Sequence, residues 1–375
     1  MRLAVEVGAI NLAQGRPDFP AAEPVKAAAI AAIQADHNQY SVTWGLPALR
    51  QAVSAGLRAL YGIEADPERE ITITCGVTEG LVGAMLATME SGDEVLVIEP
   101  AHENYVPAIR FAGAVPRAVP LEAPDFDLDV ERLADAVGPR TRALILNTPH
   151  NPTGRVLSKA DLMGVAEVCA RHDLLLITDE IYDRLTYDGL VHVPPCTLPG
   201  MAERTITCGG ISKIHCVTGW RLGYVVAPPP LTEALRVVHD YLTICAPTPL
   251  QHGALAALAQ PSAWYDELRA RFVARRAQMM ATLAACGFAA RPPEGAYYVM
   301  AGFEGWTERL GIDDGEELAE HLIREARVAT VPGAAFYVER PELGWSLIRF
   351  AFAKTEATLT EVRARLEDAY ARAGA

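Results

Sequence analysis

The chain has 375 residues, a formal net charge of −14 and 50% hydrophobic residues, which is enough for two lobes and for a core that needs no disulfide staples. The acidic balance, with no Lys/Arg run, excludes nucleic acid and anionic membrane as the main partners and leaves small molecules. Seven cysteines without CxxC or Cys/His metal spacing read as free thiols in a reducing compartment; with no signal-peptide pattern and no apolar run of spanning length, a soluble cytoplasmic protein is expected.

In chain order, residues 1–40 form an arm in which NLAQGRPDFP, with a glycine and two prolines, favours an extended, turned path over a helix. Ala21 to Gln34 read as a short helix. Leu46, Leu49, Val53, Leu57 and Leu60 then recur at helical spacing around Pro47 and predict an amphipathic helix with a glycine-containing lead-in. From Ile71 the pattern alternates between apolar runs (ITITC, EVLVIEP, RALILNTP, LLLITDE, RTITCGG, RLGYVVA) and helical segments (TEGLVGAMLATM, ENYVPAIRFAG, LMGVAEVCARH). Strands apolar on both sides belong to a parallel sheet covered on two faces, so residues 41–286 are expected to be a doubly wound α/β domain closed by a long helix starting near Ser262. Residues 287–375, with AYYVM, VATVP and SLIRFAFA, a helix around Glu316 to Ala326 and a final helix, read as a smaller α+β domain. The arm is expected to pack with it and leave a cleft between the lobes.

Ligands of such sheets sit beyond the carboxyl ends of the strands, and the chemically capable residues cluster there. CGVTEG (Cys75 to Gly80) follows a strand and opens a helix, so the free N–H groups of Val77 and Thr78 and the Thr78 hydroxyl can bind phosphate; a plain helix cap would have the same appearance. Asn151 lies in NTPHNPTG, where turn chemistry is the competing explanation. Asp179 ends a buried run and needs a partner, which a protonated ring nitrogen or an ordinary salt bridge would supply. Lys213 is one of four lysines, and unlike Lys26, Lys159 and Lys354 it sits between strand-like segments instead of on a surface helix. A lysine held among apolar residues and facing a cleft suits a Schiff-base nucleophile, with Arg221 placed to hold an anionic group on the same ligand.

The set CGVTEG, NTPHNPTG, ITDEIYDRL, SKIHCVTGWRLGY and LIRFAFA, in that order and at these separations, resembles the class I/II aminotransferases of the pyridoxal-phosphate (PLP) fold type I family, and the likeness runs from NLAQGRPDF to the last helix. The resemblance implies pyridoxal 5'-phosphate as cofactor, linked to Lys213 as a Schiff base, with Lys213 later moving a proton. It implies that Asp179 pairs with the ring nitrogen and that Tyr182 and Asn151 hydrogen-bond the phenolic oxygen. Arg221, Val77 and Thr78 would hold the phosphate, with Gly76 and Ser212 also at the cofactor and His102 at the ring-stacking position. Arg349 would take the substrate α-carboxylate, assisted by Gly15 and Asn151. Tyr40, in the Y-x4-G segment, would reach the phosphate of a neighbouring subunit, which makes a homodimer with shared active sites the expected form.

The chain departs from the family pattern at three places. Gly210, three residues before the lysine, replaces the common serine; His102 replaces the usual aromatic ring; His215 and Cys216 replace more usual residues after the lysine. The expected reaction is transfer of an amino group from an L-amino acid to a 2-oxo acid. Diversion of the same cofactor chemistry to a lyase, cyclase or oxidase stays open, because the cofactor motifs are shared. A PLP-binding module without turnover is disfavoured, since no DNA-binding segment precedes Asn11 and Lys213, Asp179 and Arg349 are all present. The side-chain pocket is expected from Arg16, Phe19, Trp44 and the neighbour's Tyr241 to Ala246, without fixing the donor.

Overall fold

The computed structural model describes residues 2–374; Met1 and Ala375, the outer ends of the arm and of the C-terminal range, lie outside the described residues. The arm opens with a one-turn helix, α1 (Arg2–Glu6), continues as a short strand, β1 (Ile10–Asn11), and then runs without helix through NLAQGRPDFP, as its glycine and prolines predict. Helix α2 spans Glu23–Gln34, and α3 spans Pro47–Tyr61. Proline opens α3, Gly62 at φ 70° closes it, and Leu49, Val53 and Leu57 are its buried stripe, which matches the sequence pattern.

The apolar runs then alternate with helices: β2 (Ile71–Thr74), α4 (Gly76–Thr88), β3 (Glu94–Glu99), α5 (Tyr105–Phe111), β4 (Val115–Pro120), α6 (Val130–Asp135), β5 (Thr141–Asn147), α7 (Lys159–His172), β6 (Leu175–Asp179), β7 (Thr205–Gly210) and β8 (Gly223–Val226). They form one seven-stranded sheet in the order β2-β8-β7-β6-β5-β3-β4, parallel except for β8, which runs against both neighbours. Strand β4 had not been expected. Its VPRAVP sequence carries two prolines and is half exposed, a combination tolerated because β4 is the sheet edge and pairs only with β3. Helices α8 (Pro229–Leu242) and α9 (Thr248–Leu258), also unanticipated, precede the long α10 (Ser262–Ala285).

Beyond α10 come β9 (Ala289–Ala290), β10 (Tyr298–Gly302), α11 (Glu304–Leu310), α12 (Gly315–His321), β11 (Val328–Ala329), β12 (Val331–Pro332), β13 (Leu347–Ala351) and α13 (Glu356–Arg372). Four of these strands make an antiparallel sheet, β12-β13-β10-β9, over a core that includes Trp306, Phe350 and Phe352. The arm joins this part of the molecule, with Ile10 paired to Val328 in a parallel β1-β11 ladder. Farther along the arm, Lys354 Nζ donates to the Arg16 carbonyl at 2.7 Å, and the Asp18 carboxylate accepts from the Thr355 N–H at 2.6 Å and the Thr358 hydroxyl at 2.7 Å. Among the described residues no helix is long and apolar enough to cross a membrane, and all seven cysteines are free.

Candidate active site

Five loops leave the carboxyl ends of the strands and enclose a cavity of about 300 Å³ whose wall includes Thr78, His102, Asn151, Asp179, Lys213 and Arg221. One end of it is built to take an anion. Helix α4 begins directly after β2, and the residue before it, Cys75, offers no side-chain cap to the first-turn N–H groups. The Cys75 N–H itself is used, donating to Glu79 at 2.9 Å. Arg221 comes to the same place from the turn before β8, in the left-handed region at φ 55°. Gly76, at φ 81°, lets the two meet: a Cβ there would stand 2.5 Å from the Arg221 guanidinium. Uncapped helix donors, a guanidinium and the neighbouring Ser212 fit a phosphate.

At the end of β6, Asp179 is only 4% exposed. Its oxygens accept from the Tyr105 hydroxyl at 2.8 Å and the Ile181 N–H at 3.2 Å, and it has no ion pair among the described residues. Burial pushes its carboxyl up, opposed by His102 and by the Tyr105 hydrogen bond. A buried carboxylate that lines the cavity and makes no ion pair within it fits a protonated ring nitrogen brought in by a ligand. Neighbouring β5 places Asn147 beside Asp179 in register, and the Asn147 side chain donates to the Asp179 carbonyl at 2.7 Å and accepts from the Asn151 N–H at 2.7 Å. The two strand ends therefore fix each other's loops. Lys213 follows β7, and its Nζ donates to the Gly15 carbonyl at 3.4 Å. The Tyr182 hydroxyl lies 3.0 Å from that of Tyr298.

Arg349, from β13, stands behind Asn151. It donates from Nη1 to Asn151 Oδ1 at 2.8 Å and from Nη2 to the Ala13 carbonyl at 2.5 Å, its guanidinium lies 4.6 Å from the ring centres of Tyr298 and Phe336, and its Nε–H has no partner. The arm thus meets three site residues through backbone: Ala13 with Arg349, and Gly15 with Lys213 and with the Tyr297 hydroxyl at 3.0 Å. A side chain on Gly15 would collide with the Tyr298 hydroxyl.

Gly76, Val77, Thr78, His102, Asn151, Asp179, Tyr182, Ser212, Lys213 and Arg221 come together at or immediately beside the cavity, with Gly15 and Arg349 one hydrogen bond away. Tyr40 does not join them in this chain; it is 76% exposed. Of the residues expected to shape a side-chain pocket, Phe19 packs on Phe272 and Trp44 lies against Arg236, both outside this cavity wall. Gly210 also lies outside it, and a Cβ there would stand 2.7 Å from the end of the Ile181 side chain. Sequence reasoning placed the Pro100 to Tyr105 segment at the strand ends but gave Asn104 and Tyr105 no role, and it did not single out Tyr298. The paired tyrosines of AYYVM were the one signal for Tyr298, and nothing local marked Tyr105 as the partner of Asp179.

The family model for aminotransferase class I and II matches residues 7–366. The chain belongs to that family. It is a PLP-dependent aminotransferase of fold type I. The solved structure of N-succinyldiaminopimelate aminotransferase from Mycobacterium tuberculosis superimposes with a TM-score of 0.94 at 39% identity, covering 98% of this chain and 95% of that one. An aromatic-amino-acid aminotransferase of Thermococcus litoralis is 36% identical over 96% of this chain and 91% of its own. The methionine aminotransferase of Escherichia coli is 33% identical over 97% and 93%. Amino-group transfer is therefore the reaction, in preference to the lyase, cyclase and oxidase readings and to a module without turnover. The replacements at His102 and Gly210 sit on an aminotransferase.

Proposed function

We propose that this aminotransferase moves the amino group of an L-amino acid to a 2-oxo acid at the cavity around Lys213, with the residue roles that follow. The observation carrying this assignment is the joint presence, in one wall, of an amine, a buried carboxylate that makes no ion pair, and an uncapped helix start beside a guanidinium. Bound there, the cofactor supplies an electron sink for the bonds to the substrate α-carbon. Lys213 would hold the cofactor covalently through Nζ and, once freed by substrate, its amine would move a proton between the substrate α-carbon and the cofactor's reacting carbon. Asp179 would keep a proton on the ring nitrogen, its carboxylate oriented by the hydrogen bond from the Tyr105 hydroxyl. Tyr182 and Asn151 hydrogen-bond the phenolic oxygen. Val77, Thr78, Ser212 and Arg221 hold the phosphate, with Gly76 leaving room for the guanidinium. His102 packs on the ring. Arg349 binds the substrate α-carboxylate, and Asn151 and the arm residues Ala13 and Gly15 orient it.

The exposure of Tyr40 (76%) and Tyr241 (90%), large aromatics outside this chain's own cavity, supports a homodimer in which each reaches the neighbour's site. We place the protein in the cytoplasm and divide it into the arm (1–40), the large domain (41–286) and the small domain (287–375). The donor panel begins with aromatic amino acids, methionine and N-succinyldiaminopimelate, after the relatives' names. Single amino acids added to the holoenzyme without oxo acid should bleach the visible cofactor band and release one equivalent of 2-oxo acid per site. Continued release of ammonia or product, with the band restored, would contradict the proposal.

A further inference from the structure

The segment that carries Lys213 is a partition between two cavities. Ser212 and Lys213 face the cofactor cavity, whereas Gly210, Ile211, Ile214 and His215 line a second one of about 600 Å³. Helices α3 and α9 close that space with Val53, Leu57, Leu60, Leu255 and Leu258, so the lining is mainly aliphatic. The volume is that of a small-molecule site, where a few placed polar groups fix orientation.

The polar groups of this wall are few, and one of them is a charged group without an ion pair. Asp183 accepts from the Tyr61 hydroxyl at 2.8 Å, and burial pushes its carboxyl up toward the neutral form. The His215 ring is stacked on Trp264 at 4.9 Å between centroids, and burial pushes its pKa down to about 3, so it carries no charge. Arg184 is different: it makes no ion pair and no hydrogen bond to a described residue, and its guanidinium lies 3.5 Å from the centre of the Tyr265 ring. That stack holds the guanidinium in place and leaves its N–H edge free, the edge that takes a carboxylate in a bidentate pair. An unpaired cation in an aliphatic wall is complementary to a molecule with an apolar body and one anionic end.

We propose that this second cavity binds an apolar monocarboxylate, its carboxylate on Arg184 and its body among the α3 and α9 side chains, and that its occupancy is sensed by the Gly210–His215 segment. This site is separate from the α-carboxylate position at Arg349, which is hydrogen-bonded to Asn151 in the wall of the other cavity.

The test titrates the full-length PLP-loaded enzyme with 4-phenylbutyrate by calorimetry while the visible cofactor band is recorded. One molecule per chain is expected, with a shift of the band on binding. Arg184→Gln and replacement of the probe by its uncharged amide should each weaken binding at least tenfold. Leu57→Trp, which fills the cavity, should abolish binding, and Arg349→Gln should leave binding unchanged. Binding lost in Arg349→Gln and kept in Arg184→Gln would assign the probe to the active site and overturn the proposal. Equal affinity for acid and amide, or no binding to the wild-type enzyme because a second copy of the chain covers the cavity, would overturn it as well. Should Leu57→Trp fail to fold, the Arg184→Gln and amide results decide alone.

Discussion

At the scale of single residues, the site divides into groups the sequence marks and groups it does not. Lys213 was recognisable because the chain has so few lysines and only this one falls between strand-like runs, and Asp179 because a carboxylate closes an apolar strand. Replacing Lys213 by Ala should lower kcat by roughly 10³-fold or more, the share of a general acid–base group that also carries the covalent link; single-turnover kinetics with added PLP measure it. Arg349→Gln should act on the other term. Charge-assisted hydrogen bonds contribute about 1.5–3 kcal/mol each, so KM for the amino donor should rise roughly 10- to 100-fold with a smaller change in kcat. Tyr105 was not legible, since its bond to Asp179 joins positions 74 apart in sequence that only the finished sheet brings together. The same is true of Tyr298, which reaches Tyr182 across 116 residues.

At the scale of elements, the phosphate pole depends on how closely the start of α4 and the turn before β8 approach. Gly76 stands at φ 81° against the Arg221 guanidinium, and a Cβ on Gly223 would meet the Gly76 backbone at 2.7 Å. Neither glycine tolerates a side chain without moving a phosphate ligand. Gly76→Ala should therefore weaken PLP binding about tenfold, the effect of 1–2 kcal/mol of backbone strain and displacement, as read by absorbance titration of the apoenzyme; unchanged affinity would remove this pole from the account. Strands β2, β6 and β7 were legible because each is a short run with no charged residue before its last position, bounded by helical segments or loops. Edge strand β4 was not, because its prolines are allowed only by the lack of an outer neighbour, a fact of the sheet order and not of the segment. The arm's route was half legible: glycine and prolines announced an extended path near Gly15, but the carbonyls of Ala13 and Gly15 that meet Arg349 and Lys213 are backbone groups no residue type encodes.

At the scale of the whole molecule, the core of the C-terminal part continues under the arm and the cavity, so stability and function share side chains. Trp306 is fully buried in that core, and Trp306→Ala should cost roughly 3–5 kcal/mol, seen as a lower urea midpoint. Glu99 ends β3 and accepts from the Val338 N–H at 2.7 Å; burial raises its pKa from 4.5 to about 7. A carboxyl whose folded pKa is raised stabilises the fold fully below its unfolded pKa and loses that contribution as pH rises toward and through the folded value. Glu99→Gln removes this slope, so the melting temperature of the variant relative to wild type should rise between pH 5 and pH 8.

The central claim is that the cofactor is held by Lys213 and by no other lysine. Borohydride reduction of the PLP-loaded enzyme, followed by digestion and mass spectrometry, tests it directly. The account predicts a single pyridoxyl adduct on the peptide containing Lys213. An adduct on Lys26, Lys159 or Lys354, or a holoenzyme that yields no adduct, would contradict it.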